Sequence, residues 1–383
     1  MKKFHVLTTA LAAAAFLAGC GGDSAGDQSP RVAFTQMVNF GDSLSDVGTY
    51  DVGVVKLQGG GHFSINGVGA TGLLYINWTE FLAATLHLPQ PCAAETGLDP
   101  VVGAVPIIGD ETATFHDASN GGTCLNYAQG GSRVTLQPGP GNRALFNATD
   151  PSTSGDALGA LTIPVHDQIV NYLNHNSQAF SPNALVTVLA GANDVFVQTA
   201  TVTAEITAGL PQDQAVGGAV AAMKQAADDL ASDVNTMILA KGATHVVVVN
   251  IPDASLTPSA TQSGASGVAL TKLLVQTFNG ELATKLQAGS SLLLVDAFTA
   301  SEDQATNKAQ YGLTDVATSV CTSSSSLVCT KNTLIPSVAP AASAAPATAA
   351  NTFEYADGVH PTPYGYRLLS ELVSEQLAIK GWL

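Results

Sequence analysis

Two serines and one Asp-x-x-His tetrapeptide hold the side chains best suited to nucleophilic chemistry in this chain. Ser43 follows Gly41-Asp42 directly behind a short apolar run, Met37 to Phe40, in "MVNFGDSLSDVGTY". Ser24 lies in "GDSAG" at 22–26, the Gly-x-Ser-x-Gly spacing of a strained strand-to-helix elbow. Both follow Gly-Asp, so the local residues do not choose between them. A serine hydroxyl needs a neighbouring base to attack a carbonyl. Asp357-Gly358-Val359-His360 places a carboxylate and an imidazole three residues apart, where a turn lets them converge. Taken alone, that tetrapeptide reads equally as a loop histidine beside a helix-capping aspartate. Asn193-Asp194 reads as a helix N-cap after a strand, and Gly130-Gly131 as a turn.

Position separates the serines. Lys2 and Lys3 precede an apolar stretch, Val6 to Gly19, with the charged head and short core of a secretory signal, too short to span a membrane comfortably. It ends in Leu17-Ala18-Gly19-Cys20, which resembles a bacterial lipobox, in which the cysteine is lipidated and becomes the new N-terminus. The expected organisation is a signal peptide at 1–19, a lipidated flexible tether at 20–34 and one domain at 35–383. Cys20 then anchors the protein to a membrane of the cell envelope, Gly21 favours the outer membrane by resemblance to other lipoproteins, and the alternative is secretion. Ser24 falls in a Gly, Ser and Asp tether that lacks the strand and helix an elbow requires.

Thirty acidic against 14 basic residues, a net charge of −16, argue against a nucleic-acid partner, which needs a basic face. With 46% hydrophobic and 11% charged residues the chain can bury a large core. Besides Cys20, the even set Cys92, Cys124, Cys321 and Cys329 suits two disulfides in an oxidising compartment, paired by proximity as 92–124 and 321–329. Their spacing does not suit zinc. No cofactor is expected, and a monomer is.

The elements that must position these residues follow from periodicity. "ALVTVLA" at 184–190, "THVVVVNI" at 244–251 and "SLLLVD" at 291–296 read as strands covered on both faces. Apolar stripes mark helices at 164–174, 215–241 and 364–379, the second stopping at Lys241-Gly242. Alternation of strand and helix predicts an α/β fold with a doubly wound, flavodoxin-like, mostly parallel sheet and helices on both faces. Irregular excursions interrupt it near 52–72 and 92–160, where the substrate pocket is expected, and near 321–352, a Ser, Ala and Pro stretch read mostly as a mobile surface loop.

In such a sheet ligands bind beyond the carboxyl ends of the strands. Four blocks sit there in order: "GDS" after Phe40, "GTCLNYAQGG" at 122–131, "GAND" at 191–194 and "DGVHPTPYGY" at 357–366. With the supporting stretches "FSING" at 63–67, "NWTEFLA" at 77–83 and "VVVVNIPDASLTP" at 246–258, the chain resembles the GDSL lipase/esterase family of the SGNH hydrolase superfamily over most of 37–383. The resemblance implies a serine ester hydrolase acting on a small-molecule or lipid ester. It makes Ser43 the nucleophile, set at the positive pole of a helical turn, His360 the base and Asp357 its orienting carboxylate. The oxyanion donors it implies are the Ser43 N–H, the Gly131 N–H, with Gly130 as the neighbouring alternative, and the Asn193 amide. Asp42, Asp46 and Asp194 are read as holding loops, His62 as a candidate pocket residue and Trp78, Phe63, Tyr364 and Tyr366 as core. Competing readings are a non-catalytic envelope lipoprotein, a carbohydrate O-acetyl esterase, and a metal-assisted hydrolase built on Asp42, Asp357 and His360.

Overall fold

The computed structural model describes residues 32–67, 69–98, 113–142, 160–336 and 352–383. The signal, lipobox and most of the tether therefore lie outside the described residues. Each apolar run singled out above carries a strand: β1 (Gln36–Gly41), β2 (Ala184–Leu189), β3 (Val246–Val249) and β4 (Leu292–Val295). They form one all-parallel sheet in the order β1-β2-β3-β4. Beside β1, Asn126 bridges Asn39 in parallel, with Asn39 N–H donating to Leu125 O and Tyr127 N–H to Asn39 O. This short row completes a flavodoxin-type order, the chain crossing to one side of β1 and then to the other.

The helices of eight residues or more are α1 (Trp78–Thr85), α2 (Val165–His175), α3 (Ala192–Thr207), α4 (Gln212–Asp233), α5 (Gly264–Lys285), α6 (Ala297–Thr306) and α7 (Pro363–Lys380). Strand residues alternate between two cores because successive side chains leave opposite faces of a sheet. Val38, Phe40, Val186, Val188, Val246 and Val248 join Ile169, Met223 and Phe278 from α2, α4 and α5. Met37, Leu185, Leu189, Val247 and Val249 join Trp78, Leu82, Val373 and Leu377 from α1 and α7. Each such buried side chain contributes roughly 1.5–3 kcal/mol.

The helix expected over 215–241 runs as α4 through a π turn, Val234–Ile238, and a 3-10 turn, Leu239–Lys241, and stops at Gly242 with φ +97°. Helix α5 escapes the stripe test because Leu273 is exposed while the polar Thr271 is buried. Both disulfides pair as expected, Cys92 with Cys124 and Cys321 with Cys329. The second one changes the reading of the Ser-rich stretch. Within its described part, Cys321, Cys329 and Leu334 pack with Ile65, Val320 and Ala356 into a small core. Apolar residues scattered among the serines supply the burial that composition alone conceals. No helix among the described residues is long and apolar enough to cross a membrane.

Candidate active site

Strand β1 delivers Ser43 to the carboxyl edge of the sheet. No α-helix starts there, contrary to the expectation of a helix pole at Ser43: Ser45 N–H donates to Asp42 O and Leu44 N–H to Asp42 Oδ1, which closes a tight turn. The next helix, Gly53–Leu57, is five residues long. The buried Asp46 carboxylate then turns the chain away, accepting from Gly48 N–H and Thr49 N–H. Behind the turn, Gln168 of α2 accepts from Gly41 N–H and donates to Gly41 O, both at 2.9 Å. Sequence reasoning did not pick out Gln168, though a polar residue inside the stripe Val165, Ile169, Tyr172 was its signal.

His360 Nε2 lies 2.8 Å from Ser43 Oγ, and His360 Nδ1 lies 2.8 Å from Asp357 Oδ2. Ser43 is 9% exposed, enough to meet a substrate yet largely removed from water. Asp357 is buried, and its oxygens accept from Val359 N–H, His360 N–H and, across the chain, Ser326 N–H at 2.6 Å. Burial opposes ionisation of Asp357, but the His360 ring and these donors outweigh it and hold the carboxyl well below the ordinary carboxylate range. Phe63 packs on the His360 ring with centroids 4.9 Å apart. The sequence contained no local signal for Ser326 or for this role of Phe63.

The second and third blocks are stitched together. Asn193 Nδ2 donates to Ser132 O at 2.8 Å, Arg133 Nε to Asp194 Oδ1 at 2.9 Å and Val134 N–H to Asp194 Oδ2 at 3.0 Å. Asn193 sits in the first turn of α3 rather than at its cap, which is Gly191 at φ +111°. Both backbone groups of Gly130 are taken, its N–H by Asp46 Oδ2 and its O by the Tyr50 hydroxyl. Gly131, at φ +83°, favours glycine. Neither its N–H nor that of Ser43 has an acceptor among the described residues.

Asp42 is fully buried, its Oδ2 has no hydrogen-bond partner, and burial raises its pKa to about 7. Burial likewise raises Asp194 in spite of Arg133. Among the described residues no group of three or more His, Cys, Asp or Glu side chains is placed to hold a metal ion.

None of the described residues of 52–72 and 92–160, where the pocket was expected, lines the pocket at Ser43. Its walls are the start of α3, residues 251–257 after β3, helix α6, residues 354–361 and one face of α7, and its empty space, mouth included, is about 860 Å³. Phe196, Ile251, Leu369 and Leu372 make it largely apolar. His62 does not line it and faces Glu80 instead, with Nε2 3.8 Å from Oε1. Trp78 and Tyr366 are core, as expected.

Fold and site together are those of an α/β hydrolytic enzyme with a serine, histidine and aspartate in hydrogen-bonded series. The GDSL-like lipase/acylhydrolase family model matches residues 37–373, and the chain belongs to that family. By class it is a carboxylic ester hydrolase. Among solved structures, Est24, a carbohydrate acetylesterase from Sinorhizobium meliloti, matches at 13% identity with a TM-score of 0.31, covering 90% of this chain and 99% of its own. That likeness is too slight to say anything of substrate. No curated protein matches the chain.

Proposed function

We propose that the protein cleaves carboxylic esters through an acyl-enzyme on Ser43. The carrying observation is the continuous series Ser43 Oγ, His360 Nε2, His360 Nδ1, Asp357, with contacts of 2.8 Å on either side of the ring. Ser43 attacks the ester carbonyl as His360 takes its proton, and His360 returns that proton to the leaving alcohol. The negative charge on the tetrahedral oxygen is received by Ser43 N–H, Gly131 N–H and the second hydrogen of Asn193 Nδ2. The first hydrogen of that amide is held by Ser132, which aims the group. Each donor of this kind is worth about 10²–10³ in rate. Water activated by His360 then releases the acid. Gly131 serves as donor rather than Gly130 because the Gly130 N–H is committed to Asp46.

The apolar lining favours an ester with an apolar part over a free acetylated sugar. The chain works at the cell envelope, lipidated on Cys20, a reading supported by the lipobox resemblance and by two disulfides. Turnover of p-nitrophenyl esters from acetate to palmitate by the full chain and by Ser43→Ala tests the mechanism. The expected loss is at least about 10⁴-fold in kcat. A Ser43→Ala variant that keeps wild-type turnover removes Ser43 as nucleophile.

A further inference from the structure

Most polar side chains lining the pocket already have partners inside the protein. Asp253 accepts from Ser255 N–H and lies 3.3 Å from Lys272 Nζ. Thr257 Oγ1 donates to Ala254 O and Ser301 Oγ to Phe298 O. Glu354 differs. It lines the same pocket as Ser43 and His360, yet among the described residues its carboxyl has no hydrogen bond or ion pair, and Oε2 is shielded from solvent without a partner. The Gln304 amide and the Tyr355 hydroxyl have none either, but among the described lining residues without a partner only Glu354 has a shielded polar oxygen. The carboxyl lies against Gly365 in the first turn of α7, where an added Cβ would come within 2.7 Å of Oε1. The missing side chain at 365 thus leaves the room that Glu354 occupies, and α7 presents its positive end nearby. Burial raises the Glu354 pKa to about 7.

A carboxyl with one oxygen shielded and neither paired, at the wall of an apolar pocket, is costly unless something that enters the pocket satisfies it. We infer that Glu354 is a specificity residue that accepts a hydrogen bond from a hydroxyl on the substrate, so the enzyme prefers hydroxylated esters to plain alkyl esters. This rests on the ester hydrolase reading above. Phe196, Ile251, Leu369 and Leu372 bury the carbon skeleton while Glu354 reads the hydroxyl. A site built to pair a hydroxyl discriminates against the analogue lacking it, because the protein group is then left unpaired.

The hydroxyl can belong to the acid or to the alcohol, and paired substrates separate the two. p-Nitrophenyl β-hydroxybutyrate against p-nitrophenyl butyrate tests the acyl side; glyceryl monobutyrate against propyl butyrate tests the alcohol side. Wild-type protein is expected to favour the hydroxylated member of one pair in kcat/KM. In Glu354→Leu that preference falls by about 10–100-fold, chiefly through KM, the worth of one hydrogen bond to a charged group. Plain esters are turned over better by Glu354→Leu, which completes the apolar wall. Glu354→Gln keeps the shape and an acceptor oxygen and retains part of the preference, which separates recognition from disturbed packing. Equal preferences in wild type and both variants, for both pairs, overturn the proposal while leaving the esterase reading intact. Absence of turnover of every ester by folded wild type overturns both.

Discussion

Asp42 and Asp357 show how position decides what a carboxyl does. They lie on the same site, one beside Ser43 in sequence and the other against His360, yet their proton affinities move in opposite directions. Asp357 has the His360 ring and three backbone donors; its contribution to stability is present at neutral pH and is lost as pH falls below the ordinary carboxylate value of 3.8. Asp42 has one backbone donor and an orphaned oxygen, so its folded pKa stands at about 7 against 3.8. The folded state therefore holds a proton that the unfolded chain releases. Stability from this group is complete below about pH 3.8 and lost as pH rises through 7. Asp42→Asn keeps the bond from Leu44 N–H and removes the titration. Its melting temperature is expected to match wild type near pH 4 and to exceed it increasingly towards pH 8, with parallel curves counting against the assignment.

At the scale of elements, the site is assembled from loops that the sheet brings to one edge, and each loop is held by another. The Cys321–Cys329 segment illustrates this. Its composition reads as slack, but its Ser326 N–H donates to Asp357 at 2.6 Å, so the disulfide loop braces the carboxylate that orients His360. Replacing both cysteines by serine is expected to cost about 10-fold in kcat, the value of one bond to a charged acceptor, while circular dichroism remains that of folded protein. Unchanged kcat would mean that the loop keeps its place without the bridge. Gln168 plays the corresponding part for Ser43, fixing both backbone groups of Gly41. Gln168→Leu takes the partner from the buried Gly41 N–H, while Gly41 O keeps the bond from Gln129 N–H, and urea titration is expected to show about 1–3 kcal/mol less stability.

For the whole molecule, the sheet divides labour by face. One core supports α2 to α5 and the other α1 and α7, while the catalytic loops gather beyond the strand ends, where no helix needs to cover them. In the lipid-anchor proposal residues 1–19 are a signal that is removed and 20–34 a tether, and neither adds chemistry. In a bacterial host, Cys20→Ala is therefore expected to move the protein from the membrane fraction to the soluble fraction with kcat/KM unchanged in detergent. Membrane retention of that variant would sink the lipid-anchor proposal.

Strand positions, the two-faced sheet, both disulfide pairs and the residues that meet at Ser43 were legible in the sequence, because they rest on local signals: continuous apolar runs, helical stripes, and short blocks in fixed order. The brace from Ser326 and the clamp from Gln168 were not. Each depends on hydrogen bonds between residues far apart in the chain, Ser326 to Asp357 and Gln168 to Gly41. The pocket belongs to the same group. Its walls come from five segments that only packing brings together, and Glu354, its unpaired carboxyl among the described residues, has no neighbour in sequence that marks it. Local pattern specifies elements because period and propensity act over a few residues. Which polar groups find partners is settled only when distant backbones meet.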